Sequence, residues 1–430
     1  MIDKEGKTPK ILVCSVNAWN SKIGDNTFPV LLQNYDKNKI ANLFIREENP
    51  DSNVCDNYFR ISENKVLKSI FRRKIKTGEK IDLNGNADNA AEQKEQFNRY
   101  NGKNRFYYFK LFLREIVWKF GRWKSRELNE FLEDFSPDIV IYEMSRYIHL
   151  NNVVKYILRK TGAKGIGCFW DDTFTYKQEK GIRFKLLRFF QRRNLKKLAA
   201  VTTDFFAITP KTKQEADKFF GIDSVVLTKP ILTEKPFSQP LDNDVINILY
   251  TGNLGIGRLK TVKILANAIQ KYDRLRLNVY TNSFISEKDK KYLDGCNVIL
   301  HPAVSQGEVL ALQSEADVLL FVESIDKGNK IARLSFSTKI TDYYSAGRCI
   351  LAIGNLDSAS MELFKENDSA VIAENEDQIY AAINVIVDYH KRLYYAEKAY
   401  STGLKNHSVS AIEQKFYSVL LREEEIKENK

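Results

Sequence analysis

The sequence predicts an α/β protein made of two doubly wound, parallel-sheet domains. Three observations carry that prediction. At 430 residues the chain exceeds the ~250–300 residues at which single cores divide. Short β-branched runs alternate with longer segments of helical periodicity, the pattern of βα units feeding a parallel sheet. The alternation also falls into two series, separated by Lys229–Asp244, where three prolines stand in a stretch with neither period.

In chain order, the first series places strands at Lys10–Val16, Ile40–Ile45, Asp138–Tyr142, Ala163–Phe169 and Phe205–Ile208. Apolar positions at helical spacing fill intervening segments such as Asn151–Lys160 and Lys211–Phe220. The polar stretch Lys74–Asn98 has neither period and is expected to leave the first domain as an irregular excursion. The second series is more regular, with strands at Val245–Thr251, Leu275–Tyr280, Val298–His301, Ala316–Val322, Cys349–Ile353 and Ala370–Ala373, nearly every one followed by a helix. Six such units make a Rossmann-like sheet. The boundary is placed near residue 235, giving domains over 1–235 and 236–400 and a C-terminal helix or tail over 401–430. Within that tail, Arg422–Lys430 is almost wholly charged and reads as a solvated end.

A net charge of +12 and a pI near 9.1 call for an anionic partner. Nucleic acid, a membrane surface or a phosphate-bearing substrate would each answer. The five cysteines are scattered without a CxxC pair, so neither a disulfide framework nor a zinc site is indicated. A reducing cytoplasm is expected. No signal-peptide core follows the mixed-charge start, and no window reaches the ~18 apolar residues of a spanning helix. The four histidines, His149, His301, His390 and His407, lack metal-ligand spacing, so no metal and no cofactor is expected.

Two stretches of the second domain carry chemistry. In Tyr250–Arg258 a strand opens through Gly252, Asn253 and Gly255 into a helix, which turns backbone amides and a positive helix end toward an anion, with Arg258 as a forked donor. The same glycines serve equally well as a tight turn. In Leu334–Gly354, Ser337 is expected to cap a helix that carries Thr338 and Lys339 in its first turn and Asp342 one to two turns further on. That order suits a diphosphate at the helix start and a sugar hydroxyl deeper along it. A capped helix with Asp342 on a solvated face is the alternative. His301, ending a strand, either borders a base pocket or lies at the surface.

Together the Thr251–Arg258 turn, the strand Ala316–Phe321 and the Ser337–Gly347 helix resemble the group 1 (family 4) glycosyltransferases. The resemblance implies GT-B architecture, two domains facing across a cleft, retention at the anomeric carbon and no required metal. It places the acid that usually binds the donor ribose at Asp342, where aspartate replaces glutamate. The partner acid eight positions earlier would be Leu334, so the first carboxylate of the family's E-x7-E pair is missing. Ser337, Thr338, Lys339 and Arg258 would then face the diphosphate, and Arg258 and Lys339 would stabilise the charge that builds there. The first domain resembles the acceptor half of bacterial capsule and exopolysaccharide enzymes in Asn17–Thr27 and Phe169–Thr173. Gly24, Asn26 and Thr27 would line the acceptor side, while Asp171 and Asp172 would orient the acceptor or stabilise positive charge, unless they only cap a turn.

The excess charge concentrates in the first domain. Arg99–Arg126 holds nine basic residues against one acid and is rich in aromatics, and Arg183–Lys197 repeats the theme. Such helices suit the headgroup layer of an anionic membrane, with a core face and solvated cationic rim as the alternative. Nucleic acid is not expected as a partner, because no recognition motif accompanies the basic patches. The resulting expectation is a cytoplasmic enzyme, peripheral on the inner face of the cell membrane, that moves sugar from a nucleoside-diphosphate sugar to a lipid-linked glycan. A nucleotide-sugar epimerase, or a non-catalytic partner of a polysaccharide assembly complex, are the alternatives, the latter favoured by Leu334.

Overall fold

The computed structural model describes residues 8–20, 27–83, 107–231, 237–240 and 242–422. Two compact units are present, one formed by Met1–Thr228 with Glu413–Lys430 and the other by Lys229–Ile412.

In the first unit the elements run β1 Ile11–Cys14, α1 Thr27–Leu31, β2 Ile40–Phe44, β3 Asn57–Ile61, α2 Glu63–Ser69, β4 Gly78–Ile81, α3 Tyr107–Phe120, α4 Arg126–Phe135, β5 Ile139–Glu143, α5 Ile148–Thr161, β6 Lys164–Phe169, α6 Ile182–Ala199, β7 Asp204–Ala207, α7 Pro210–Phe220 and β8 Val225–Val226. Its sheet has the order β4-β3-β2-β1-β5-β6-β7-β8. Every pairing is parallel except β3 with β4. The second unit runs β9 Ile246–Thr251, α8 Arg258–Ile269, β10 Leu275–Thr281, α9 Glu287–Asp294, β11 Val298–Pro302, α10 Gln306–Glu315, β12 Val318–Val322, α11 Lys339–Ala346, β13 Cys349–Ile353, α12 Ala359–Glu366, β14 Val371–Ala373, α13 Glu376–Val387 and α14 Tyr389–His407, after which α15 Val409–Leu420 leads back to the first unit. Its six strands are all parallel, in the order β11-β10-β9-β12-β13-β14.

Both sheets reverse direction of growth at one point, between β1 and β5 and between β9 and β12. Ligands of open α/β sheets bind beyond the strand ends at such points. β12 and β13 are apolar throughout and all five residues of each are buried, as in strands covered on both faces by helices. Each buried Leu or Ile contributes about 1.5–3 kcal/mol relative to exposure. Helix ends are set by local chemistry: at α7 the Thr209 hydroxyl accepts from the Thr212 amide, Pro210 opens the helix, and Gly221 closes it at φ 69°.

All six strands expected in the second series are present, as are the five of the first. β3, β4 and β8 escaped the sequence pattern. β4 lies inside the stretch expected to be irregular, most of which (84–98) is outside the described residues. It is short and charged, yet Glu79 is clamped by Arg60 at 2.6 Å and Lys65 at 2.5 Å. Gly78 lies so close to Phe59 that a Cβ would come within 2.6 Å of the ring. The expected linker is likewise structured where it is described. Lys229 is buried, Phe237 packs on Tyr400 at 5.4 Å, and Asp242 holds the buried Arg392 at 3.0 Å. The segment expected as a C-terminal helix or tail is a packed helix up to Leu420. Phe416 and Tyr417 stack on Phe206 and Tyr35, and Lys164 donates to the carbonyls of Val419 and Arg422. Arg422 is exposed and pairs with Asp204 at 3.1 Å, and the rest of the charged end, 423–430, lies outside the described residues.

Candidate functional site

The second unit gathers its candidate residues at the carboxyl ends of β9 and β12. β9 ends at Thr251 and the chain turns through Gly252, whose φ of 140° is closed to most side chains. A Cβ there would come within 2.0 Å of the Lys339 ammonium, so glycine is what lets that lysine lie over the turn. Ile256 and Gly257 then adopt φ of 58° and 86°, and α8 begins at Arg258 without a side-chain cap. Inside the turn, the Gly255 amide donates to Asn253 Oδ1 at 2.6 Å and the Leu254 amide to Ser283 Oγ at 2.8 Å. Asn253 and Gly255 therefore shape the turn with one another. Among the described residues, the Asn253, Ile256 and Gly257 amides have no protein acceptor, which leaves a concave set of donors of the kind that holds anions.

The facing element is α11. Ser337 was expected to cap it, but the helix starts at Lys339, and Thr338 at the cap position makes no side-chain cap bond. The physical reason is that Thr338 is already helical, at φ −58° and ψ −18°, which aims its hydroxyl away from the following amides. Neither hydroxyl is tied down, and the Thr338 and Lys339 amides have no protein acceptor among the described residues. Lys339 Nζ lies 4.7 Å from the centre of the Tyr250 ring and forms no ion pair among the described residues. Desolvation, with repulsion from Arg258 added, brings its pKa down to about 7 against the opposing pull of Glu323 and Asp342.

Two carboxylates frame this lysine, and each has its own cation. Arg258 Nη2 donates to Glu323 Oε1 at 2.8 Å while its Nε donates to the Val322 carbonyl at 3.1 Å. Asp342 is paired with the buried Lys229 at 2.9 Å. With both acids neutralised, Lys339 is the surplus charge. Sequence reasoning missed Glu323 and Lys229, although Glu323 directly follows an apolar strand, where charged residues of this fold gather. Leu334, at the position of the absent first acid, is fully buried. His301 stacks on Tyr280 at 4.3 Å and bonds Asn278 through Nε2 at 2.8 Å.

In the first unit, Gly24 and Asn26 lie outside the described residues, and Thr27 is the buried first residue of α1. Phe28 and Trp170 meet at 5.6 Å, so the α1 start and the loop after β6 come together. Asp172 is buried with both oxygens engaged by Thr175, the Oδ1 by its amide at 2.8 Å and the other by its hydroxyl. That is the turn-capping alternative. Asp171 beside it is exposed. All five cysteines are buried, and none forms a disulfide.

No family model and no curated protein matches the sequence. Solved structures do match. Alr3699/HepE of Anabaena, in complex with UDP and glucose, is 10% identical with a TM-score of 0.60, covering 96% of this chain and 99% of that one. TarM is 10% identical with a TM-score of 0.61, over 97% of this chain and all of that one. An alpha,alpha-trehalose-phosphate synthase (UDP-forming) of Burkholderia xenovorans, in complex with glucose-6-phosphate, is 10% identical with a TM-score of 0.57, over 96% of this chain and all of that one. At such identity the likeness defines the fold, an α/β architecture of the GT-B type.

Proposed function

We propose that the chain is a retaining glycosyltransferase that draws sugar from a nucleoside-diphosphate donor bound to the second unit. The single observation that carries this is the Lys339 ammonium lying over Gly252, unpaired, between the open amides of two helix starts. In glycosyl transfer the bond from the anomeric carbon to the diphosphate oxygen breaks, its electron pair stays on the diphosphate, and an acceptor hydroxyl oxygen takes its place, its proton passing to the departing diphosphate. Preorganised donors at the leaving group lower that barrier. Lys339, the free amides and the hydroxyls of Ser337 and Thr338 are such donors, with Arg258 held beside them. Gly252, Asn253 and Gly255 shape the cradle, and Asp342 meets the ribose through the oxygen that Lys229 leaves to it.

The rest of the reading rests on the sequence. The first unit takes a glycan acceptor near Thr27, Asp171 and Asp172, and the basic aromatic helices hold the protein to the inner face of the cell membrane, where a lipid-linked capsule or exopolysaccharide precursor is extended. Metal is not required. UDP in the neighbouring structures makes uracil the first base to try.

Calorimetric titration with UDP, GDP, ADP and TDP, without metal and then with magnesium, tests the donor site. One of them should bind in both conditions, and Lys339→Ala should weaken it about tenfold or more, the worth of one charge-assisted hydrogen bond. Binding to none would favour the non-catalytic partner, the reading supported by Leu334 in place of the first acid.

A further inference from the structure

Three helices of the first unit direct apolar stripes outward. On α3, Phe109, Phe112, Leu113, Ile116 and Phe120 follow the spacing that ordinarily marks a core face, yet Phe109, Phe112 and Phe120 are more than half exposed and only Trp118 of this helix is buried. On α6, Ile182, Leu186, Phe189 and Phe190 form a second stripe, and Ile182 is 83% exposed. The end of α2 supplies the third, Leu67, Ile70 and Phe71. Phe71, at 84%, is the most exposed large apolar side chain among the described residues. α2 and α6 both pack against α3, so the three helices are neighbours.

The charge around them is predominantly positive. Lys65–Lys76 carries six cations and no acid, and α6 carries seven and no acid. The acids nearby are each engaged: Glu63 holds Arg114, Glu115 binds His149 at 2.9 Å, Glu79 pairs with Lys65, Glu127 lies by Lys76 at 3.9 Å and Glu179 accepts from Tyr108. A second copy of the chain would bring cations against cations across a two-fold contact. An anionic leaflet supplies hydrocarbon for the stripes and phosphate for the rim.

We propose that α2, α3 and α6 form one docking surface for an anionic bilayer, with Phe71 at the tip of α2 entering the leaflet. This rests on the membrane-peripheral reading above and adds α2 to it. Because every native cysteine is buried, Phe71→Cys can be labelled selectively with a polarity-sensitive dye in the full chain. Its emission should shift to the blue with vesicles of phosphatidylcholine and phosphatidylglycerol, and stay unchanged with phosphatidylcholine alone. Phe71→Ser should lower partitioning onto the mixed vesicles about tenfold, the lower end of what burying a large apolar side chain is worth. If the wild type floats with mixed vesicles while the dye at 71 stays in water and Phe71→Ser partitions normally, α2 is no part of the surface and the membrane reading stands on α3 and α6. If the wild type floats with no vesicle, both fall. A concentration-dependent dimer abolished by Phe71→Ser would assign the face to a second copy and overturn the proposal.

Discussion

Lys339 and Gly252 act as one device. The φ of 140° and the 2.0 Å separation from a would-be Cβ mean that Gly252→Ala strains the backbone and pushes the ammonium aside at once. A stability loss of about 1–3 kcal/mol is expected, read by denaturant unfolding, together with weaker nucleotide binding. The lysine also makes the protein pH-sensitive. The unfolded chain keeps this proton to about pH 10.4, whereas the folded chain releases it near pH 7, so the unfolded state binds more protons in between and stability rises with pH across that window. A bound diphosphate reverses this by drawing the proton back. Nucleotide affinity should therefore fall as pH climbs from 7.5 to 9, with proton uptake visible as buffer-dependent heats, and Lys339→Arg should flatten the profile because guanidinium stays charged. Asp342→Ala tests two roles together. Losing a ribose contact should weaken nucleotide by about 1–3 kcal/mol, but the change also strands the buried Lys229 and should cost stability. The pair Lys229→Met with Asp342→Ala should restore stability without restoring affinity. At this scale the sequence made Gly252, Arg258, Lys339 and Asp342 legible, since each sits in a local turn or helix start. Lys229 and Glu323 were not, because their roles depend on partners 113 and 65 residues away.

Elements were legible where both faces are buried and illegible where charge or distance supplies the stability. The strands β12 and β13 show as apolar runs and β10, LRLNVYT, as an alternation, whereas β4, GEKI, shows neither and is held by Arg60 and Lys65 across Glu79. Glu79→Gln should then loosen that edge, detected as faster amide exchange in β4 with little change in β1 or β5. The packing of α15 was hidden for a different reason. Its aromatic pair, Phe416 and Tyr417, finds partners in Phe206 and Tyr35, some two hundred or more residues earlier, and no local period announces such a return. Phe416→Ala removes a fully buried ring and should destabilise the first unit by about 3–5 kcal/mol, seen as an early unfolding transition.

For the whole molecule, the consequence is two cores, with the candidate donor residues all in the second. The first unit closes on itself through α15, and the second carries Gly252, Arg258, Lys339 and Asp342 within Lys229–Ile412. Heat-induced unfolding should accordingly resolve into two transitions, and a nucleotide that binds the second unit should raise only one. At a hundredfold excess over Kd the expected stabilisation is about 2.7 kcal/mol, enough to separate the transitions in differential scanning calorimetry. Phe416→Ala identifies the other transition by lowering it, and Lys339→Ala should cut the nucleotide stabilisation to about 1.4 kcal/mol or less at the same nucleotide concentration while leaving both transitions in place. If nucleotide moved the transition that Phe416→Ala lowers, the donor would bind the first unit, and the roles given to the two halves would have to be exchanged.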